Sequence, residues 1–294
     1  MANTILTPDI IAREALMVLR NNAVMANLVH RDYSDEFVGA KGDTITVRKP
    51  TTFVANEFTG EIEVQTIEES GVPVVMDKHL DVSFAVTSKE MTLDIADFSK
   101  QLLVPAMQAF ADKVDKYLLA LETETPYRVS HGEGAIAPAD LIEARKCLSM
   151  NAAPLADRRF VVGAKAEADL LSNELFVSAE KVGDAGTALR EASLGRKFGM
   201  DIYVDQNADT VQSDYAPSIA FHKNAMALVT RPLALPNGAA KAAIVNYDGF
   251  GLRVVYGYDI AKKVDTISID MLCGVAMLDD KLIAVVEDYS VGGK

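Results

Sequence analysis

Residues 95–121, IADFSKQLLVPAMQAFADKVDKYLLAL, place Ile95, Phe98, Leu102, Ala106, Phe110, Val114, Tyr117 and Leu121 at steps of three and four. That spacing draws one apolar face along a helix longer than the globular average. Asp94, Asp97, Lys100, Asp112, Lys113, Asp115 and Lys116 supply its polar faces. Pro105 lies inside the pattern and has no N–H to give the preceding turn. The reading predicts a kink there, or two helices meeting end to end. Just upstream, Leu80, Val82, Phe84 and Val86 alternate with Asp81, Ser83 and Ala85, the cleanest period-two strand in the chain. A strand feeding a long helix, with β-rich sequence on either side, frames the rest.

The chain has 294 residues, 49% of them hydrophobic and 24% charged, enough to bury one large or two ordinary cores. No apolar run approaches the roughly 18 residues of a membrane helix. The segment Met1–Asp9 lacks the charged-then-apolar layout of a signal peptide. Cys147 and Cys273 lie far apart inside apolar-periodic segments, which favours buried thiols in a reducing cytosol over a disulfide. The formal net charge is −13. Such a field repels phosphate backbones at long range and argues against sequence-reading of nucleic acid. Enclosing nucleic acid without gripping it is a different demand, and the charge does not exclude it.

Working toward the N-terminus, Thr7-Pro8-Asp9 reads as a helix start, with Thr7 as N-cap, Pro8 at the first position and Asp9 near the positive dipole end. The helix runs through Ile11, Ala15, Val18 and Leu19 and weakens at Asn21-Asn22, ahead of a second apolar group, Val24, Met25, Leu28 and Val29. An amphipathic helix near a chain end docks on its own domain or reaches a partner, and the pattern serves both.

Residues 38–78 read as two or more β segments returning on themselves. Ile45 and Val47 alternate, Phe53 and Phe58 follow, and Ile62 and Val64 alternate with Glu61, Glu63 and Gln65. Gly39, Gly42, Pro50, Gly60, Gly71 and Pro73 punctuate these runs. An isolated two-stranded ribbon is marginal in water, because one thin face does not offset its ordering entropy. Either the rest of the chain covers it or a neighbouring molecule does. Arg48 and Lys49 stand at one end against Glu57, Glu61, Glu63, Glu68 and Glu69 further along. That segregation fits a solvated strand face, or a contact in which each arm meets a neighbour's opposite charge and sets register. Phe53 and Phe58 are the better sources of burial energy, about 1.5–3 kcal/mol each if covered. The candidate intersubunit contacts are thus Arg48, Lys49, Phe53, Phe58, Glu61 and Glu63.

Beyond the long helix, Pro138-Ala139-Asp140 opens a helix with Leu141, Ala144 and Leu148 inward. Strands at 159–163 and Met200–Val204 alternate with helices carrying Ala168 and Leu171 and spanning about 188–194. This alternation predicts a compact α/β unit between about 129 and 250. The C-terminal part is β-rich, with strands at 243–245, 252–256, 266–269, 275–278 and 282–286 and a turn at Asp279-Asp280-Lys281.

Reactive chemistry leaves little trace. There is no phosphate-binding glycine loop, no dinucleotide fingerprint and no nucleophile elbow. His30, His79, His131 and His222 have no metal-ligand spacing. Asp205-Gln206-Asn207-Ala208-Asp209 matches half a calcium loop, but Thr210 replaces the turn glycine and Ala216 the bidentate glutamate. A polar loop explains it. Gly249-Phe250-Gly251 reads as a turn or bulge, and Lys41, Lys49 and Lys78 as solvated lysines. No catalytic residue, metal or cofactor is expected.

The segments TPDIIAREAL at 7–16, GDTITVRKP at 42–50 and FHKNAMALVTRPL at 221–233 together resemble the major capsid proteins of tailed phages, most closely the coat-protein family named for the short-tailed Salmonella phage. The resemblance spans the chain and rests on the order of several motifs; the namesake's extra inserted domain is not expected here, since the chain leaves little room for it. It implies an α+β chain of the Hong Kong-type capsid fold. Residues 1–35 are then an N-terminal arm and 36–79 an extended β arm lying across an adjacent subunit. Residues 80–128 and 251–294 form a peripheral domain built on the spine helix, and 129–250 an axial domain around fivefold and quasi-sixfold centres. The C-terminal strands return beside the spine, and the thin ribbon finds its cover on another copy.

The expected function follows from the resemblance. The chain is the shell subunit of a tailed double-stranded DNA phage or prophage, not an enzyme, assembling as pentamers and hexamers into an icosahedral head. Scaffolding, portal and cementing proteins are further expected partners, and no membrane is. The location is the virion, and the host cytoplasm during assembly. Glycines flanking 39–71 and the Pro105 kink are where copies adjust to unequal surroundings. The rivals are a same-fold bacterial nanocompartment shell and, remotely, a soluble α/β enzyme. Deleting residues 44–66 is expected to leave soluble subunits that form no closed particle; loss of all structure by circular dichroism would place the arm in the subunit's own core.

Overall fold

The computed structural model describes residues 8–31, 44–48, 55–57, 60, 71–87, 99–130, 135–177, 194–212, 215–238, 241–247 and 250–288. Among the described residues the long helix has three pieces: a π-helical turn at Ser99–Leu103, the α-helix Val104–Ala120 (α3, the spine), and a 3-10 turn at Leu121–Glu124. Pro105 sits at the π-to-α junction, so its missing N–H falls where the ladder already changes register. Ile95 and Phe98 lie outside the described residues. The buried set, Ala106, Met107, Phe110, Ala111, Val114, Asp115, Leu118 and Leu119, is wider than the predicted stripe, because the spine is covered on two sides.

One cover is α1, Pro8–Asn22, followed by the short α2, Met25–Leu28. Ile11, Ala12, Ala15, Leu16 and Leu19 form its buried stripe and join the core of the spine. The N-terminal helix therefore docks on its own chain. Asp115, assigned by spacing to a polar face, is instead buried and bound to the amides at the start of α2.

The other cover is a five-stranded antiparallel sheet. Its path runs β10 (Lys241–Tyr247), β11 (Phe250–Asp259), β12 (Val264–Met277), β3 (Lys78–Thr87), with β9 (Met226–Arg231) also paired to β12. β3 alternates as predicted: His79, Asp81, Ser83 and Ala85 are exposed, while Leu80, Val82 and Phe84 face inward. The strands read at 266–269 and 275–278 are one long strand, β12.

The second sheet has six strands in the order β4 (Arg128–Ser130), β13 (Ile283–Asp288), β8 (Ala216–His222), β5 (Arg158–Val162), β7 (Met200–Val204), β6 (Arg196–Lys197). One face, through Val161, Ile219, Phe221 and Ile283, joins the core of the spine. The other, through Phe160, Val162, Ala220, Ala284 and Val286, packs on α4 (Pro138–Met150) and α5 (Ala164–Ser172). On α5 the buried residues are Ala166 and Leu170, Leu171 packs partly buried beside them, and Ala168 is exposed. The last strand was expected beside the spine with β10–β12 but sits here. All six residues of β13 are buried, and only a sheet covered on both faces accepts such a strand.

The foot of the expected arm is an antiparallel pair, β1 (Thr44–Arg48) with β2 (Gly71–Val75). Gly71 and Pro73, read as punctuation, lie inside β2; a two-stranded ribbon has an open edge where a proline costs no ladder bond. Val47 and Val74 are buried against Ala227, Val229 and Leu278 of the same chain. The expectation that another copy covers the ribbon is therefore wrong for its foot. β2 runs almost directly into β3, which holds it beside β12. Deleting 44–66 also uncovers Val74, so a deletion that tests the arm alone starts after Arg48.

That seat is tight at Gly274 of β12, where an added Cβ would lie 2.3 Å from the Val75 carbonyl oxygen. Gly274→Ala is expected to lower the urea midpoint by the equivalent of about 1–3 kcal/mol. Gly238→Ala, in open space, should stay within about 1 kcal/mol of wild type.

Candidate functional site: the assembly surface

Of the six contact residues expected from the sequence, Arg48 is placed: it ends β1, opposite Gly71. Lys49, Phe53, Phe58, Glu61 and Glu63 lie outside the described residues, so the structure does not bring the six together. Large apolar side chains do reach solvent elsewhere. Ile142 and Met150 stand on the outer side of α4, with Leu155 just beyond. Tyr258 and Ile260, the latter 79% exposed, cap the β11–β12 hairpin, and Ile10 and Met17 line the outer side of α1.

Three chain crossings join the two sheets among the described residues, and each passes through a 3-10 turn: Leu121–Glu124 into β4, Lys223–Ala225 between β8 and β9, and Asp280–Leu282 between β12 and β13. The turns are bonded to one another. The Leu278 and Asp279 N–H groups donate to the Ala225 carbonyl at 2.8 and 3.2 Å. The Thr125 hydroxyl donates to the Asp280 carbonyl at 3.2 Å.

Beside them lies a buried polar knot centred on Glu122, which is fully buried. Its carboxylate accepts from Arg128 Nη2 at 2.9 Å, Tyr215 Oη at 2.7 Å and Gln212 Nε2 at 2.9 Å. Arg128 also donates to the Glu122 carbonyl, to Tyr215 and, closely, to Glu287 of β13. Burial, and then the hydrogen bond to Glu122, push the Tyr215 phenol up to about 12. Both Glu122 oxygens are engaged, so the group fastens the spine's end to the second sheet. No spacing rule could find it: Tyr215 and Glu122 are 93 residues apart.

The other polar candidates are also structural. Asp205 Oδ1 accepts from the Asn207 N–H and side-chain amide at 2.9 and 3.0 Å. Asp209 Oδ2 accepts from the Ala164 N–H at 2.8 Å at the start of α5. Gly163 is bare because a Cβ there would strike the Asp209 carboxylate. The half calcium loop is thus a pair of backbone caps. His222 Nδ1 accepts from the Asn224 N–H at 3.2 Å, and burial lowers its pKa. His79 stands 3.7 Å from the Asp270 carboxylate, which Arg253 holds with two bonds. His131 lies outside the described residues. Cys147 and Cys273 are free thiols, and burial pushes Cys273 up to about 12. Among the described residues no group of three or more His, Cys, Asp or Glu side chains is arranged to hold a metal, and no helix is long and apolar enough to cross a membrane.

The knot makes a direct prediction. Arg128→Ala strands the buried Glu122 charge and is expected to cost about 3–5 kcal/mol in urea unfolding. Arg128→Lys, which keeps the charge but not the fork, should fall between that variant and wild type.

No family model matches the chain, and no curated protein matches its sequence. Solved structures do match its fold. A chain of Mycobacterium phage Che8 superposes with TM-score 0.68 at 21% identity over 90% of each chain. The capsid of the cyanophage P-SCSP1u gives TM-score 0.60 at 14% identity over 84% of each. The capsid of a native GTA particle gives 0.59 at 15% identity, over 94% of this chain and 90% of that one. The chain shares its fold with these structures, the Hong Kong-type arrangement that the resemblance implies.

Proposed function

We propose that this chain is the major capsid protein of a tailed double-stranded DNA phage or prophage, building the icosahedral head from pentamers and hexamers of itself. The observation that carries the reading is a fold shared with phage capsids over nearly the full length of both partners. The sequence motifs favour, within that class, the coat-protein family named for the short-tailed Salmonella phage. Strand membership suggests the working parts. β3, the spine and β9–β12 make the peripheral domain, and β4–β8 with β13 the axial domain. This follows the sequence division 80–128 with 251–294 against 129–250, with β9 and β10 moved to the first part and β13 to the second.

The mechanism is burial of apolar and main-chain surface between copies, not catalysis. Exposed apolar side chains on three different elements, α1, α4 and the β11–β12 tip, suit a subunit that meets neighbours through more than one surface. The net charge of −13 suits enclosing DNA without gripping it. Scaffolding, portal and cementing proteins complete the expected partners, with the virion as destination and the host cytoplasm as the place of assembly.

Size-exclusion chromatography with negative-stain microscopy of the purified chain tests this. Capsomers or closed shells are expected, and a monodisperse small species at high concentration overturns it. Nuclease-protected DNA inside particles from infected or induced cells separates a phage head from a nanocompartment shell.

A further inference from the structure

Asp115 lies on the buried side of the spine, 1% exposed. The N-terminal segment takes both its oxygens: Oδ2 accepts from the Val24 N–H at 2.7 Å and Oδ1 from the Ala26 N–H at 2.9 Å. These are amides at the start of α2, which have no partner within that helix. Met25-Ala26-Asn27-Leu28 carries no charge of its own. Within electrostatic reach, at the end of β7, Asp205 is 2% exposed, and its Oδ2 has no hydrogen-bond partner.

The other charges around the pair are few. Asp112 and Lys116, on the spine itself, act on Asp205. Arg159 of β5 donates to the Leu28 carbonyl at the far end of α2. His30, two residues beyond α2, is tied through its backbone to β9 by bonds of 3.1 and 2.9 Å. Among the described residues no cation is hydrogen-bonded to Asp115 or Asp205. Two ionised carboxylates buried so deeply, with no cation hydrogen-bonded to either, are costly, and protonating one of them removes much of that cost.

We propose that seating residues 24–30 on the spine takes up a proton at the Asp115–Asp205 pair. The N-terminal segment is thereby a pH-sensitive clasp, held in mildly acidic solution and loosened toward neutral and alkaline pH. The electrostatics agree in sign. Burial above all, with Asp205 adding to it, outweighs the amide donors and pushes Asp115 from 3.8 up to about 7. Burial raises Asp205 as well. A folded-state pKa above the unfolded one gives stabilisation that is complete below the unfolded value and lost as pH rises through the folded one. The sensitive window is therefore roughly pH 4–7.

Native-state hydrogen exchange on the whole chain at Val24 and Ala26, corrected for intrinsic rate, tests the clasp from pH 5 to 8.5. The opening constant is expected to rise toward about tenfold per pH unit up to near 7 and then level. Asp115→Asn should flatten that rise, and Asp205→Asn should move its midpoint to lower pH. A flat wild-type profile, or a wild-type slope surviving in Asp115→Asn, overturns the proposal. If Asp115→Asn does not fold, an unmoved midpoint in Asp205→Asn overturns it equally. The Ile219 amide of β8 is the reference: an equal slope there assigns the proton to global unfolding and ends the case for a clasp.

Discussion

A helix covered on two sides keeps only a narrow solvated stripe, here Gln108, Asp112, Lys113 and Lys116, and that constraint shapes everything around the spine. Phe110, Val114 and Leu118 belong to a core that takes in α1 on one side and β10–β12 on another, then continues into Val161, Ile219 and Phe221 of the second sheet. Removing any cover would bare a face that the spine cannot make polar. The N-terminal helix is thus part of the subunit's own interior, although its place near the chain start left a role as a free arm open. Asp115 is the exception within this apolar surface, and it is tolerated because α2 begins where its oxygens can be filled.

The same continuity removes one source of flexibility that the sequence suggested. Pro105 was expected to act as an adjustable kink, yet Leu103 is fully buried and Ala106 nearly so. The π-to-α change there is packed in place. The chain crosses between its sheets through three bonded 3-10 turns, and Arg128 and Glu122 fasten one of them to β13 through Glu287. A shared core with fastened crossings resists sliding of one sheet against the other. Under the proposed capsid role, copies of such a block that meet unequal neighbours absorb the difference outside these crossings.

What was legible in the sequence was whatever depends on near neighbours. The Leu80–Val86 alternation became β3, Pro8 opened α1, and Leu141, Ala144 and Leu148 turned inward on α4, because side-chain period and helix starts are set within a few residues. What escaped depends on distant pairing. Asp115 meets Val24 across 91 positions, and Tyr215 meets Glu122 across 93. β13 reads like its β-rich neighbours until its burial on both faces assigns it to the other sheet. The candidate contact set was the least legible part. Contacts between molecules leave no periodicity, and its one placed member, Arg48, sits at the ribbon's foot.

Under the proposed capsid role, that foot bears on how copies of the chain hold together. Val47 and Val74 already spend their apolar surface on Ala227 and Val229 of the same chain, so the base of the ribbon is aimed before any neighbour arrives. A segment anchored this way loses less freedom on docking than one loose along its whole length, and affinity gained through pre-organisation needs less buried area. Contacts that are individually modest can then be repeated around a closed lattice, and a misplaced subunit can still leave before many of them form. The acidic surface works in the same direction, since like-charged blocks repel at a distance and associate where specific apolar contacts outweigh the repulsion.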